Sequence, residues 1–252
     1  MTGGGELDGK VAVITGGGRN IGRAIALALA KAGAAVLVTV RSNTAQGEEV
    51  AREISATGGR AAVFTGDVAD ASAAQAMADA ALKAFGQIDI LVNNAALRRE
   101  KNIGEMSQQE WREVLGVILD GAFHCVSACL PALRASGAGR IVNIGGMSAH
   151  IGSKGRSHVM AAKLGLVGFT RGLAHDLASD GITANCVVPG AIDTTRAASA
   201  ATPAHHLTHG TITGDRGRPE DVAAAVLHLC LPAAQFVTGQ SMHINGGAYL
   251  SS

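Results

Sequence analysis

Short apolar runs alternate with longer segments of helical period along the chain. Val11-Ala12-Val13-Ile14, Val36-Leu37-Val38, Ala61-Ala62-Val63-Phe64, Ile88-Asp89-Ile90-Leu91-Val92, Ile141-Val142-Asn143-Ile144 and Ile182-Thr183-Ala184-Asn185-Cys186-Val187-Val188 read as strands. Several are continuously apolar, the pattern of a parallel sheet covered on both faces. Between them the period becomes helical, as at Ile21, Ile25 and Leu29. Ser107 with Glu110 predicts a capping box opening a helix, and Pro219 with Glu220 and Asp221 predicts the first turn of another. Repeated βα units with right-handed crossovers build a doubly wound α/β sheet. No repeat, linker or composition break divides residues 1–252, so one domain is expected. The stretch Asp193 to Arg218 departs from regular patterning and predicts a mobile flap over the ligand crevice.

Composition narrows this picture. The chain is 47% hydrophobic and 3% aromatic with 34 glycines, which suits small residues packing helices closely on a sheet. A formal charge of +1 gives no basic excess for nucleic acid or an anionic membrane. The start, Met1-Thr2-Gly3-Gly4-Gly5-Glu6, lacks a basic segment followed by an apolar one, and no uninterrupted apolar run reaches bilayer-spanning length. Cys125, Cys129, Cys186 and Cys230 sit in apolar periodic segments and read as buried free thiols, which fits a reducing, cytoplasmic setting.

The chemistry begins where the first strand enters Thr15-Gly16-Gly17-Gly18-Arg19-Asn20-Ile21-Gly22. Glycines let this turn approach a pyrophosphate, which the helix N-terminus then stabilises. At the end of the second strand an enzyme specific for NAD places an acidic residue on the ribose 2′-hydroxyl. Thr39-Val40-Arg41-Ser42-Asn43 contains no acid. Arg41 and Ser42, with Arg19, offer a 2′-phosphate site instead, so NADP(H) is favoured over NAD(H). Two solvated surface arginines are the plainer alternative.

The turn TGGGRNIG resembles the T-G-x-x-x-G-x-G motif of short-chain dehydrogenases/reductases. Further matches follow in order over essentially the whole chain: Asp67-Val68, Asn93-Asn94-Ala95-Ala96, Lys163, Pro189-Gly190 and Asn245-Gly246-Gly247. The resemblance implies a Rossmann-type fold. It also implies that Gly16, Asn20, Ile21 and Gly22 line the cofactor turn, that Asp67 and Val68 hold adenine, and that Asn93 and Ala95 support the cofactor. Pro189, Gly190, Ile192 and Thr194 would flank the nicotinamide, and Lys163 would bind its ribose. Asn20 replaces a family glycine, and asparagine tolerates left-handed backbone well enough to keep the turn. The family also assembles as tetramers through the helices around Ser107 and Val159 and the C-terminal strand, so a homotetramer or an assembly with an active relative is expected.

The resemblance fails at the catalytic positions. The family's Tyr-x-x-x-Lys pair puts a phenol and an ammonium on one helical face, where the ammonium lowers the phenol's pKa. Here Val159 stands four residues before Lys163, and the sole tyrosine, Tyr249, is far away in sequence. By spacing, Gly146 occupies the family's serine position and Ile118 its asparagine. Replacing all three avoids orphaned polar groups costing about 1–3 kcal/mol each, so a remodelled site is expected. Candidate proton donors are His158, His150 and Ser148, or an ordered water, though each side chain has the plainer reading of a surface or pocket-lining group. The small-molecule substrate is expected to be a carbonyl or alcohol. The alternatives are a cofactor-binding pseudoenzyme subunit and a non-redox elimination or isomerisation. Arg98 and Arg99 could meet an anionic substrate. His205, His206 and His209 lack a carboxylate or cysteine at metal spacing, so no metal site is expected.

Overall fold

In a computed structural model, which describes residues 5–194 and 210–250, the apolar runs become the strands of one parallel sheet. They are β1 (Val11–Ile14), β2 (Ala35–Val40), β3 (Ala61–Thr65), β4 (Ile90–Asn93), β5 (Arg140–Ile144), β6 (Thr183–Pro189) and β7 (Ser241–Ile244). Their spatial order is β3-β2-β1-β4-β5-β6-β7. The order reverses between β1 and β4, which defines the crevice at the carboxyl ends of those strands. The central strands β1, β2, β4, β5 and β6 are buried at every position, which is why their sequences carry no polar alternation. β7 is an edge strand with intermediate burial throughout, so its sequence Ser-Met-His-Ile gives no apolar run.

Helices cover both faces. On one side α1 (Asn20–Lys31), α2 (Thr44–Ala56) and α8 (Pro219–Cys230) enclose a core that includes Ile14, Ile25, Leu29, Val36, Val226 and Leu229. On the other, α3 (Ala71–Phe85), α5 (Gly121–Ala135) and α7 (Ser157–Asp176) enclose Leu37, Met77, Leu91, Cys129, Leu133 and Ile141. The two shorter helices are α4 (Gln108–Leu115) and α6 (Ser148–Ile151). All four cysteines are free and buried, and burial pushes the Cys125 and Cys230 thiols up to about 12.

The predicted helix starts are present. Ser107 Oγ accepts from Glu110 N at 3.1 Å while Glu110 Oε2 accepts from Ser107 N at 2.8 Å. Pro219 opens α8, and Asp221 Oδ2 accepts from Arg218 N at 2.7 Å. One expectation changes. A π-turn, Gly116–Asp120, joins α4 to α5, and the continuous run Gln108–Ala135 is long and apolar enough, by length and composition, to cross a membrane. Asp120 interrupts that run in the sequence. In the fold its apolar side packs on the sheet through Cys125, Cys129 and Leu133.

Candidate active site

The glycine turn is held by side chains as much as by its own backbone. Thr15 Oγ1 accepts from the N–H groups of Asn94 and Ala95, each at 2.9 Å, and itself donates to Val92 O at 3.3 Å. Asn94 Nδ2 donates back to Thr15 O at 2.9 Å and Gly16 O at 3.0 Å. The turn is therefore clipped to the end of β4, 79 residues away in the chain. Gly16 has φ +64°, and a Cβ on Gly22 would stand 2.2 Å from Gly16 O. Asn20 has φ +50° and is the one non-glycine residue with positive φ among those described. Its short polar side chain keeps the left-handed turn that glycine would otherwise supply. These close approaches leave a bare backbone cradle at the start of α1, the geometry that a pyrophosphate requires.

Gly17 N donates to Thr39 O at 2.9 Å, which brings the turn beside the end of β2. Arg19, in extended conformation at the head of α1, is exposed there, as are Arg41 and Ser42 just past β2. Asp67 Oδ1 turns back to accept from Ala69 N at 3.1 Å, and Val68 beside it is buried. At the other end of the crevice Met147 N donates to Pro189 O, and Gly190 N donates to Ile244 O, both at 2.9 Å. A Cβ on Gly190 would meet Asn245 at 2.7 Å, so the backbone packs tightly past β6. Ile192 is buried and bridges to Gly217, while Asp193 N donates to Gly217 O at 2.7 Å. The two ends of the Asp193–Arg218 stretch are thus pinned together with Thr194 half-buried beside them. Residues 195–209 of that stretch, including His205, His206 and His209, lie outside the described residues.

Asn93 serves the strand framework. Its Nδ2 donates to Asn143 Oδ1 at 2.9 Å, Asn143 Nδ2 donates to Thr170 Oγ1 at 2.8 Å, and Thr170 donates to Leu166 O at 2.7 Å. This buried relay ties β4 to β5 and β5 to α7. Sequence reasoning missed Asn143, Thr170 and the clip by Asn94. Polar residues inside runs otherwise apolar were the available signal.

Lys163 sits two turns into α7. Its stem is half-exposed, but its ammonium is enclosed and donates to Ile144 O at the end of β5. Burial lowers its pKa to about 8, helped by the positive charges of Arg98 and Arg156 and opposed by the Cys186 thiol. Gly146 leaves open space beside it, since a Cβ there would find Lys163 Cγ as its nearest neighbour at 3.9 Å. One turn before Lys163, Val159 packs in an apolar cluster with Val114, Ile118 and Ala162.

The structure does not bring the two histidines to Lys163. His158 is 0% exposed and faces Arg156, Glu110 and Arg99 around the head of α4. One residue's step along a helix turns the side chain by about 100°, which carries His158 away from the Val159–Lys163 stripe. Among the described residues neither of its ring nitrogens has a well-aligned hydrogen-bond partner, although the Arg156 backbone acts on the ring. Burial lowers its pKa first, then the Arg156 charge. His150 instead joins a ring cluster, 4.8 Å from His243 and 5.5 Å from Tyr249 between centroids. Its Nε2 is buried, and burial together with Arg171 lowers its pKa. Ser148 starts α6 close to Gly146 and is half-buried.

A depressed histidine pKa means that the unfolded chain takes up the proton first as pH falls below about 6.5. Stability from this source is therefore present above that pH and lost below it. His158→Met should flatten the acid side of the stability profile and raise stability by about 1–3 kcal/mol, because it removes a buried imidazole whose nitrogens lack well-aligned partners. Urea unfolding of both proteins at pH 5 and pH 8 checks this, and equal slopes against pH would count against it.

This arrangement of crevice, glycine cradle and buried lysine defines a nucleotide-dependent α/β enzyme class. A profile of the family described as enoyl-(acyl carrier protein) reductase matches residues 16–249, and the chain belongs to the short-chain dehydrogenase/reductase family. It is 37% identical over 243 residues to the 3-oxoacyl-(acyl-carrier-protein) reductase FabG of Staphylococcus aureus, covering 96% of this chain and 98% of that one. It is 34% identical over 246 residues to FabG of Vibrio cholerae, covering 97% and 99%. A dehydrogenase/reductase structure from Sinorhizobium meliloti superposes with TM-score 0.91 at 37% identity, covering 97% of this chain and 96% of that one. A short-chain dehydrogenase from Burkholderia cenocepacia, solved in complex with NADP, superposes with TM-score 0.90 at 35% identity, covering 96% and 99%.

Proposed function

We propose that this protein is an NADP(H)-dependent oxidoreductase of a carbonyl or alcohol substrate in which Lys163 supplies the proton that the family takes from tyrosine. The observation carrying this reading is the enclosed Lys163 ammonium, beside the open space at Gly146 and one turn beyond Val159. A group with a pKa of about 8 is close to the operating pH, where a general acid works best. Ser148, half-buried at the start of α6, or a water would orient the substrate oxygen, while His150 packs in a ring cluster and His158 is buried away from Lys163. The nicotinamide, when bound, supplies or accepts the hydride.

The chain's own residues divide the remaining work. Gly16, Asn20, Ile21 and Gly22 present backbone to the pyrophosphate, and Asp67 with Val68 receives adenine. Asn93 and Ala95 fix the end of β4, and Pro189, Gly190, Ile192 and Thr194 border the nicotinamide. Arg19, Arg41 and Ser42 receive the 2′-phosphate, in keeping with the NADP named for the Burkholderia relative. Arg41→Ala should weaken NADPH binding about tenfold or more, the range for a lost charge-assisted hydrogen bond. NADH binding should change little, and calorimetric titration of both nucleotides decides the assignment.

The protein acts in the cytoplasm, in line with its four unpaired thiols. It assembles as a homotetramer, using the face of α5 and α7 where Phe123 and Leu164 are exposed. Light scattering after gel filtration tests the assembly. The activity is tested with NADPH deuterated at nicotinamide C4, each face in turn, and a metabolite extract analysed by mass spectrometry. Label that appears with wild type and vanishes with Lys163→Ala supports the reductase. NADPH binding without label transfer favours the cofactor-binding pseudoenzyme, which the apolar packing of Val159 against Ile118 would then explain.

A further inference from the structure

Residues of α5 and of the π-turn before it lie along the loop that leaves β3. Gly121 N donates to Gly116 O, a π-type step of five residues that brings the two glycines onto one face. An unbroken α-helix would leave that pair about 140° apart. His124 follows Gly121 by three and shares its face. All three meet the loop. A Cβ on Gly116 would find Ala69 Cβ at 3.9 Å, and one on Gly121 would stand 2.7 Å from Val68 Cγ2. His124 Nδ1 lies 3.1 Å from Val68 O, across 56 residues of chain.

A carbonyl only accepts, so the proton of that hydrogen bond sits on His124 Nδ1. The same peptide unit is held at its other end, because Ala69 N donates to Asp67 Oδ1 at 3.1 Å. A peptide is planar, so fixing the Val68 carbonyl fixes the direction of the Ala69 N–H. Donation into the carbonyl also polarises the unit and strengthens that N–H as a donor. The Val68 side chain is only 8% exposed and seats the loop in the core against Gly121. Asp70 closes the loop, since its N donates to Asp67 O at 3.0 Å and its carboxylate caps α3 through Ser72 N at 2.9 Å. The imidazole therefore acts on the Asp67 carboxylate through a single peptide.

We propose that His124 is a positioning residue for the base of the nucleotide: by holding the Val68–Ala69 peptide it aims the Asp67 carboxylate at the amino group of adenine. This rests on the reading of Asp67 and Val68 as the adenine site, and not on the identity of the proton donor. An amino group donates to a carboxylate. The oxo group that hypoxanthine carries at the same ring position offers only lone pairs and is repelled. Discrimination between the two bases therefore reports how well the carboxylate is aimed.

The test is calorimetric titration of the full-length protein with NADP+ and with its hypoxanthine analogue, for wild type, His124→Ala, His124→Asn and Asp67→Ala. Wild type should prefer NADP+. His124→Ala should reduce that preference about three- to tenfold, the worth of one neutral hydrogen bond, mainly by weakening NADP+. His124→Asn should restore it, because the asparagine Nδ2 donor branches from Cγ as the imidazole Nδ1 does. A purely structural role would weaken both nucleotides alike, and that result would overturn the proposal. So would a full preference in His124→Ala when Asp67→Ala has lost it, which leaves the adenine site standing. No preference in wild type, or its survival in Asp67→Ala, would overturn the adenine reading and the role of His124 with it. If His124→Ala does not fold, nitrogen-15 NMR of the neutral imidazole in wild type decides. A proton on Nδ1 is expected, and one on Nε2 instead would refute the hydrogen bond.

Discussion

Lys163→Met is expected to lower NADPH-dependent turnover by about 10²–10⁴-fold and to make the protein more stable at neutral pH. The two effects have one origin. Burial and the charges of Arg98 and Arg156 disfavour the ammonium, which lowers its pKa to about 8 from an ordinary 10.5. Between these values the unfolded chain binds the proton and the folded chain releases it, so stability rises with pH across that window. Below about pH 8 the folded state carries the full cost, at most roughly 3 kcal/mol. Methionine fills the space without a charge, so the variant should melt higher at pH 7 and lose the rise between pH 8 and pH 10. The rate of reduction by wild type should fall as pH rises through about 8, because the donor is then deprotonated. Lys163→Arg keeps a charge but has no proton to give at these pH values, and should be as slow as Lys163→Met. Stopped-flow rates and thermal melts over this pH range test both halves. A Lys163→Arg variant with wild-type turnover would remove lysine from the proton-donor role.

Gly22→Ala is expected to abolish nucleotide binding at concentrations that saturate wild type and to destabilise the fold. The added methyl would stand 2.2 Å from Gly16 O and 2.6 Å from Asn94 Nδ2. Both neighbours are fixed, since Asn94 is the clip that donates to Thr15 O and Gly16 O. Relief therefore requires α1 to move off the turn or the clip to break. Losing the clip leaves buried carbonyls unpaired, at about 1–3 kcal/mol each, in addition to the displaced helix. Asn94→Ala tests the same element differently, because it removes the clip without adding bulk and should weaken nucleotide binding less than Gly22→Ala does. Titration with NADPH and chemical unfolding of both variants provide the comparison, and normal binding by Gly22→Ala would refute the cradle.

Local chemistry was legible wherever a local rule governs it. Six of the strands were visible as apolar runs, five of them because both of their faces are covered and β3 because its edge sequence is still apolar. β7 was not visible as a pattern, because an edge strand needs no continuous apolar sequence. The left-handed Asn20, the Ser107–Glu110 box and the Pro219 start all follow from backbone preferences of one or four residues. The apolar character of Val159 and Ile118 was legible too, and the two share one buried cluster.

The sequence by itself determined a doubly wound parallel sheet and a glycine-rich turn after its first strand, and it placed Val159 four residues before Lys163 and Arg41 with Ser42 after the second strand. Only the tertiary structure decided that His158 faces α4 and that His150 stacks with His243 and Tyr249. It also decided that Asn94 holds the glycine turn while Asn93 builds the strand relay, and that the Lys163 ammonium is enclosed against Ile144 O. The physical reason is that backbone preference acts over a few residues, whereas the partners of a side chain come from strands and loops tens of residues apart. A rotation of one helical position or the crossing of two loops settles which groups share a site, and neither leaves a mark in local sequence.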